Sequence, residues 1–264
     1  MILIKSAEEI ARMVRACRIT AEVLESLREA VSPGMTTGEI EKMAEGLIIQ
    51  KGGKPAFKGY RGYPASICTS VNDQVVHGIP SQRKLNEGDI LSIDLGVYWQ
   101  GYYGDAAITV PIGEVDEEAK KLIRVTEEAL AMGIDKAREG NRVSDISHAV
   151  QGHVEANGFS VVRALVGHGV GKLLHEEPQV PNFGPPGKGP RLAKGMTLAI
   201  EPMVNAGGWQ VKFLEDGWTC VTADGSLSAH SEHTVLITGE APVILTKHPN
   251  IDEDGMTRVK YKAV

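Results

Sequence analysis

Ile90-Leu91-Ser92-Ile93-Asp94-Leu95-Gly96-Val97-Tyr98-Trp99-Gln100-Gly101-Tyr102-Tyr103-Gly104-Asp105-Ala106-Ala107-Ile108-Thr109-Val110 sets two aspartates inside a run that otherwise reads as buried strand. Both arms are rich in β-branched and aromatic residues with period-2 alternation, Leu91, Ile93 and Leu95 share a face, and the run breaks at Gln100-Gly101. These features predict a β-hairpin. A symmetric loop between Trp99 and Gln100 sets Asp94 opposite Asp105. Directly opposed residues have Cβ atoms about 4.5 to 5.5 Å apart, and like charges so placed destabilise a half-buried sheet. Something positive has to sit between them.

The pattern returns. Sliding the sequence against itself lays Leu85 to Asp94 on Leu192 to Glu201, with Leu, Gly and Ile in register, so that Asp94 meets Glu201. A second alignment lays Gly104 to Val110 on Ser231 to Ile237, so that Asp105 meets Glu232 and the residues around Trp209 to Gly225 form a longer connection. Upstream, Pro33 to Ile40 fall on Glu139 to Ile146, each ahead of a helix-period segment. An internal duplication follows. The expectation is one catalytic domain over 1–264 with pseudo-symmetric halves of about 1–110 and 111–264, bringing four acids together across a pseudo-twofold axis.

The net charge of −6 and pI near 5.8 speak against a nucleic-acid surface, and no block of like charges suggests a tail or a polybasic membrane patch. Cys17, Cys68 and Cys220 are too few and too scattered for a disulfide framework and point to a reducing compartment. Met1 to Ser6 runs into charge too soon for a secretory signal, and no run approaches the ~18 apolar residues of a membrane span. The expectation is a soluble cytoplasmic protein without membrane or nucleic-acid partners, and a monomer, since no coiled-coil seam demands a second copy.

Ser6 with Glu9 and Thr36 with Glu39 are capping-box patterns, predicting helices over 6–31 and from Thr36 to Gly52-Gly53. Asp116 starts a third helix to about Arg138, and Ser144 or Asp145 caps a fourth ending at Gly158. Residues 55–80 mix glycine and aromatics around a short strand near Ser66 to Ser70, which suits the wall of a pocket. Phe159 to Val166 reads as a strand leading into Gly167-His168-Gly169-Val170-Gly171, residues 182–190 as a Gly/Pro surface loop, and 196–201, 209–214, 218–222 and 232–238 as strands. Gly167 to Lys172 lacks the spacing of a phosphate loop, which excludes nucleotide binding there.

The residues that carry chemistry are Asp94, Asp105, His168, Glu201 and Glu232. Four carboxylates and one imidazole make a hard, oxygen-rich set, unlike the sulfur sites of structural zinc, suited to Mn, Fe or Co and able to take Zn. Four carboxylates balance two divalent cations, and a water shared by a metal pair ionises near neutral pH to give a nucleophile for a carbonyl. A lone Asp at a strand end is most often a cap or half an ion pair; the duplication is what raises these residues above that reading.

Ala65 to Asn72 with Val76-His77-Gly78-Ile79-Pro80, Ser92-Ile93-Asp94, Gly104-Asp105, Gly167 to Gly171, His175-Glu176-Glu177-Pro178, Ile200-Glu201-Pro202 and Ser231-Glu232-His233-Thr234 together resemble the type I methionine aminopeptidases of the short bacterial kind, over nearly the whole chain. The resemblance implies the pita-bread α/β (α+β) fold, an antiparallel sheet covered by helices, with two divalent metal ions held by Asp94, Asp105, His168, Glu201 and Glu232, of which Asp105 and Glu232 bridge. It implies removal of the initiator methionine from nascent chains or peptides with a small second residue, at the ribosome in the cell. It assigns His175 to the scissile carbonyl, His77 to the peptide nitrogen or the backbone beyond it, Glu201 to proton shuttling, and Tyr60, Tyr63, Cys68 and Trp218 to the methionine pocket. Phe57, where cysteine is common, and Leu174, where an aromatic is common, depart from that pattern. The expected rivals are a proline-directed peptidase, which usually carries an extra N-terminal domain, and a non-catalytic binding relative, which typically loses metal ligands.

Overall fold

Capping chemistry fixes where the helices begin. The computed structural model describes residues 1–247. Helix α1 (Ala7–Ala30) starts where Ser6 Oγ accepts from Glu9 N–H at 3.3 Å while Glu9 accepts from Ser6 N–H at 2.8 Å, and α2 (Thr37–Gln50) repeats the box with Thr36 and Glu39. Asp116 caps α3 (Glu117–Lys136) through Ala119 N–H. Helix α4 (Val143–Ala156) starts earlier than the sequence suggested, with Arg142 rather than Ser144 or Asp145 at the cap position. Asp145 reaches back from the first turn to accept from Arg142 N–H, and Ser144 Oγ accepts instead from Lys188 N–H, so both candidate side chains serve neighbouring donors from inside the helix.

The quoted stretch is a hairpin, but its register differs from the expected one. The Ile90–Trp99 and Tyr102–Pro111 strands pair Trp99 with Tyr102, leaving Gln100 and Gly101 at φ 43° and 91° as a two-residue loop. Centring the turn one residue later pairs Asp94 with Ala107 and Asp105 with Gly96. The two aspartates are therefore diagonal neighbours on one face rather than opposite each other, which eases their repulsion without separating their oxygens beyond reach of a shared ion.

Among the described residues the main sheet has nine strands, all antiparallel in their pairings. Its central order runs Ile90–Trp99, Tyr102–Pro111, Glu232–Leu236, Thr197–Ile200, Val166–Gly169, Glu176–Pro181. Alternation then divides labour between the faces. Ile93, Leu95, Val97 and Ala106 pack with Ile19, Val23, Leu27, Ile40 and Ile48 of α1 and α2, while Leu198, Ile200 and Val235 pack with Leu130, Ile134, Val143 and Ile146 around α3 and α4. Each such large side chain contributes about 1.5 to 3 kcal/mol by leaving water. The helices cover one face of the sheet and leave the other to the polar residues between those apolar ones.

Two small three-stranded sheets complete the described strands: Ser228–His230, Met203–Asn205 and Ser160–Val161 in one, which packs Val161, Val204 and Ala229 against α3 and α4, and Val211–Phe213, Cys220–Thr222 and Gln74–Val76 in the other. The single strand expected over 159–166 is thus two pieces, because Ser160–Val161 joins a small sheet and Val166–Gly169 the main one.

Candidate metal and substrate centre

Two rows across the sheet gather the predicted ligands. Cα partners run Cys68, Asp94, Ala107, Glu232 along one row. In the second, Asp105 lies opposite Gly96 and exchanges both backbone bonds with the Thr234 hydroxyl (3.1 and 2.8 Å), Thr234 opposes Ala199, and Ala199 opposes His168. Glu201 follows directly on the Thr197–Ile200 strand. Directly opposed residues and residues two apart share a face, so strand geometry alone turns these side chains towards one space.

Ligand atoms of Asp105, His168 and Glu232 all lie within 4.8 Å of one another. His168 Nε2 is 3.9 Å from Asp105 Oδ2 and 3.5 Å from Glu201 Oε1. His168 Nδ1 donates to Gly169 O at 2.9 Å, so the Nε2 lone pair is the one that faces the cavity. Asp94 Oδ1, Asp105 Oδ1 and Glu232 Oε1 are buried without a hydrogen-bond partner among the described residues.

The electrostatics follow from that crowding. Burial, and then the charges of one another, push Asp94, Glu201 and Glu232 well above the usual carboxylate range. Burial raises Asp105 to about 7 against an opposing bond from the backbone at Ala106, and lowers His168 to about 4. Among the described residues the only ion-pair partners of Asp105 and Glu201 are histidines. Orphaned carboxylate oxygens beside a neutral imidazole lone pair are a donor set that a pair of divalent cations satisfies and that a proton pool satisfies poorly.

The residues expected to contact substrate adjoin this centre. The His175 ring lies 4.0 Å from that of His168 and stacks on Tyr60 at 5.2 Å. Trp218 meets Tyr63 edge-on at 5.0 Å and His77 at 6.4 Å. Tyr63, Ala65 and Cys68 form a buried apolar cluster with Phe57, Ile79 and Trp218 against it. Phe57 therefore belongs to the pocket wall, and Gly96 leaves it room, since a Cβ there would stand 2.8 Å from Phe57 Cε1. The Tyr63 hydroxyl is held by Ile67 O and Gly78 O, which fixes the ring as a wall rather than as a polar contact. Leu174 is buried, beside His175 in sequence. His77 adopts φ 60°, a backbone state that costs a non-glycine residue of order 1 kcal/mol and is retained mainly at working sites. Behind His175, the Glu176 carboxylate and Lys5 Nζ form a 2.6 Å ion pair with side chains 2% and 3% exposed, tying the N-terminal segment to this edge.

Sequence reasoning missed His230, which is 1% exposed with Nε2 3.9 Å from Glu201 Oε2. Its one sequence signal is its place two residues before Glu232.

The chain is similar to known proteins over most of its length. The family model described as metallopeptidase family M24 matches residues 11–239. A methionine aminopeptidase of Clostridium perfringens is 56% identical over 246 residues, 93% of this chain and 99% of that protein. A crystal structure of a methionine aminopeptidase from Thermotoga maritima superposes with a TM-score of 0.93 at 51% identity, covering 94% of this chain and all of that one. A prolidase from Pyrococcus furiosus shares the fold at 24% identity with a TM-score of 0.77, but this chain spans 65% of its length.

Proposed function

The chain belongs to metallopeptidase family M24, among its methionine aminopeptidases, with the pita-bread fold, and on that footing we propose how its acidic centre removes an N-terminal methionine. The observation that carries the reading is the convergence of buried, unpartnered carboxylates on the His168 lone pair. Asp94, Asp105, His168, Glu201 and Glu232 are the residues that would hold two divalent ions. When bound, the ions neutralise the carboxylates, polarise the peptide carbonyl and make water nucleophilic near neutral pH.

The protein groups do the rest. Tyr60, Tyr63, Cys68 and Trp218 receive the methionine side chain, with a neutral thiol and aromatic faces suited to a thioether. Burial and the Asp94 charge keep Cys68 protonated. His175 is held well below the ordinary imidazole range by desolvation and by His168, so at neutral pH it acts as an N–H donor to the carbonyl oxygen as charge develops there. Glu201 takes a proton from the attacking water and returns it to the departing amine. His77, uncharged through desolvation, binds the backbone beyond the cleaved bond.

The same reading takes Mn, Fe or Co as the ions, with Zn accommodated, a small second residue as the condition for cleavage, and nascent chains at the ribosome as substrate. It takes the protein as a cytoplasmic monomer and as one unit of two related halves, residues 248–264 of the second lying outside the described structure. No described helix is long and apolar enough to cross a membrane. The test is release of methionine from Met-Gly and Met-Leu peptides by metal-reconstituted protein. Cleavage of the first and sparing of the second is the expected result, and no turnover with Mn, Fe or Co overturns the reading.

A further inference from the structure

His230 ends the Ser228–His230 strand, and its backbone is clamped. Its N–H donates to Thr109 Oγ1 at 2.9 Å, its carbonyl lies 2.7 Å from the same hydroxyl, and Thr109 Oγ1 lies 2.8 Å from Ser92 Oγ. The ring, by contrast, has no hydrogen-bond partner at either nitrogen among the described residues. A neutral imidazole always carries one N–H, and leaving a buried donor unpaired costs about 1 to 3 kcal/mol, so a buried ring with nothing to bond to calls for a partner in the working state.

The acceptor in view is Glu201. Its Oε2 stands 3.9 Å from His230 Nε2, and its Oε1 stands 3.5 Å from His168 Nε2, so the two oxygens face different histidines. His230 thus stands on the far side of Glu201 from His168, placed to act through that carboxylate. Resting on the assignment of Glu201 as ligand and proton carrier, we propose that His230 is a positioning residue whose Nε2–H holds Glu201 Oε2 and so keeps Oε1 turned to the His168 side of the site. A carboxylate free to rotate would present either oxygen to the ions, or both, and would lose the geometry needed to pass a proton.

The test compares His230→Leu and His230→Gln with the parent protein, each loaded with Co(II), by visible absorption spectrum, Co(II) affinity and steady-state kinetics on a Met-Gly peptide. Losing the donor in the leucine variant is expected to shift the Co(II) spectrum and to lower kcat by about 10- to 100-fold with KM little changed, and the glutamine N–H is expected to restore most of both. Equal behaviour of the two variants, or an unshifted spectrum in the leucine variant, overturns the proposal. The spectrum reads the Glu201 geometry whether or not the parent protein cleaves methionyl peptides, so failure of the activity and failure of this inference are told apart. Should the leucine variant not fold, imidazole ¹⁵N NMR of the Zn-loaded parent decides: a His230 Nε2–H resonance protected from exchange only when metal is bound supports the proposal, and its absence ends it.

Discussion

The two halves of the site solve one problem with different amounts of chain. In the first, Asp94 and Asp105 come from strands joined by two residues, and the hairpin is complete in itself. In the second, Glu201 and Glu232 flank a connection, residues 202–231, that supplies strands to both small sheets and carries Trp218 and His230. The difference teaches where lining is added. The hairpin spends no residues beyond its turn, whereas the longer connection brings Trp218 against Tyr63 and His77 and so completes an aromatic wall begun in the first half.

The largest effects should ignore this asymmetry. Asp105→Asn and Glu232→Gln are each expected to lower turnover of methionyl peptides by more than about 100-fold, beyond what loss of an outer partner causes, with a matching fall in calorimetric Mn affinity. If either variant keeps the parent's affinity, the two halves do not share the ions.

Next comes the metal-free protein. Its carboxylates have folded-state pKa values above the unfolded ones, Asp105 at about 7 and the other three raised as well, so the folded state binds more protons. Stability contributed by those protons is present below an unfolded pKa of about 4 and is lost as pH rises through about 7 and beyond. Thermal unfolding of chelator-treated protein should therefore show a melting temperature that falls between about pH 5 and 8, and added Mn should abolish the slope. A flat profile without metal would mean the acids are compensated by the protein alone.

Stability should then separate the halves. A Cβ on Gly104 would stand 2.6 Å from Cys17 N in α1, so Gly104→Ala is expected to cost about 1 to 3 kcal/mol in urea denaturation. Gly101→Ala, at φ 91° in the hairpin loop, should cost about 1 kcal/mol. In the long connection, Phe213→Ser removes a ring that is 56% exposed, and its effect on unfolding should stay within about 0.5 kcal/mol. A large loss there would make the connection as structural as the hairpin.

The sequence made local and repeated features legible. The capping boxes, the Gln100-Gly101 turn and the recurrence of carboxylates at strand ends depend on residues near one another, and the repeat let weak signals support each other. The hairpin register failed by one step of turn placement, which pattern alone does not resolve because the face of every residue stays the same. The short strands at Gln74–Val76, Glu176–Pro181, Met203–Asn205 and Ser228–His230 were missed for a different reason. They are three to six residues long, Glu176–Pro181 contains Pro178 and Pro181, and what makes them strands is a distant partner. His230 was illegible on the same ground, since nothing near it in the chain announces Glu201.

Ala107 stands between Asp94 and Glu232 in their row, the smallest side chain there that still has a Cβ. A methyl group is thus all that stands between the two carboxylates along that row, and the clearance there is a property of that one position. Adding two carbons at Ala107 would fill the space between Asp94 and Glu232 while leaving both acids in place, so the room between the carboxylates is set as much by a short neutral neighbour as by the acids themselves.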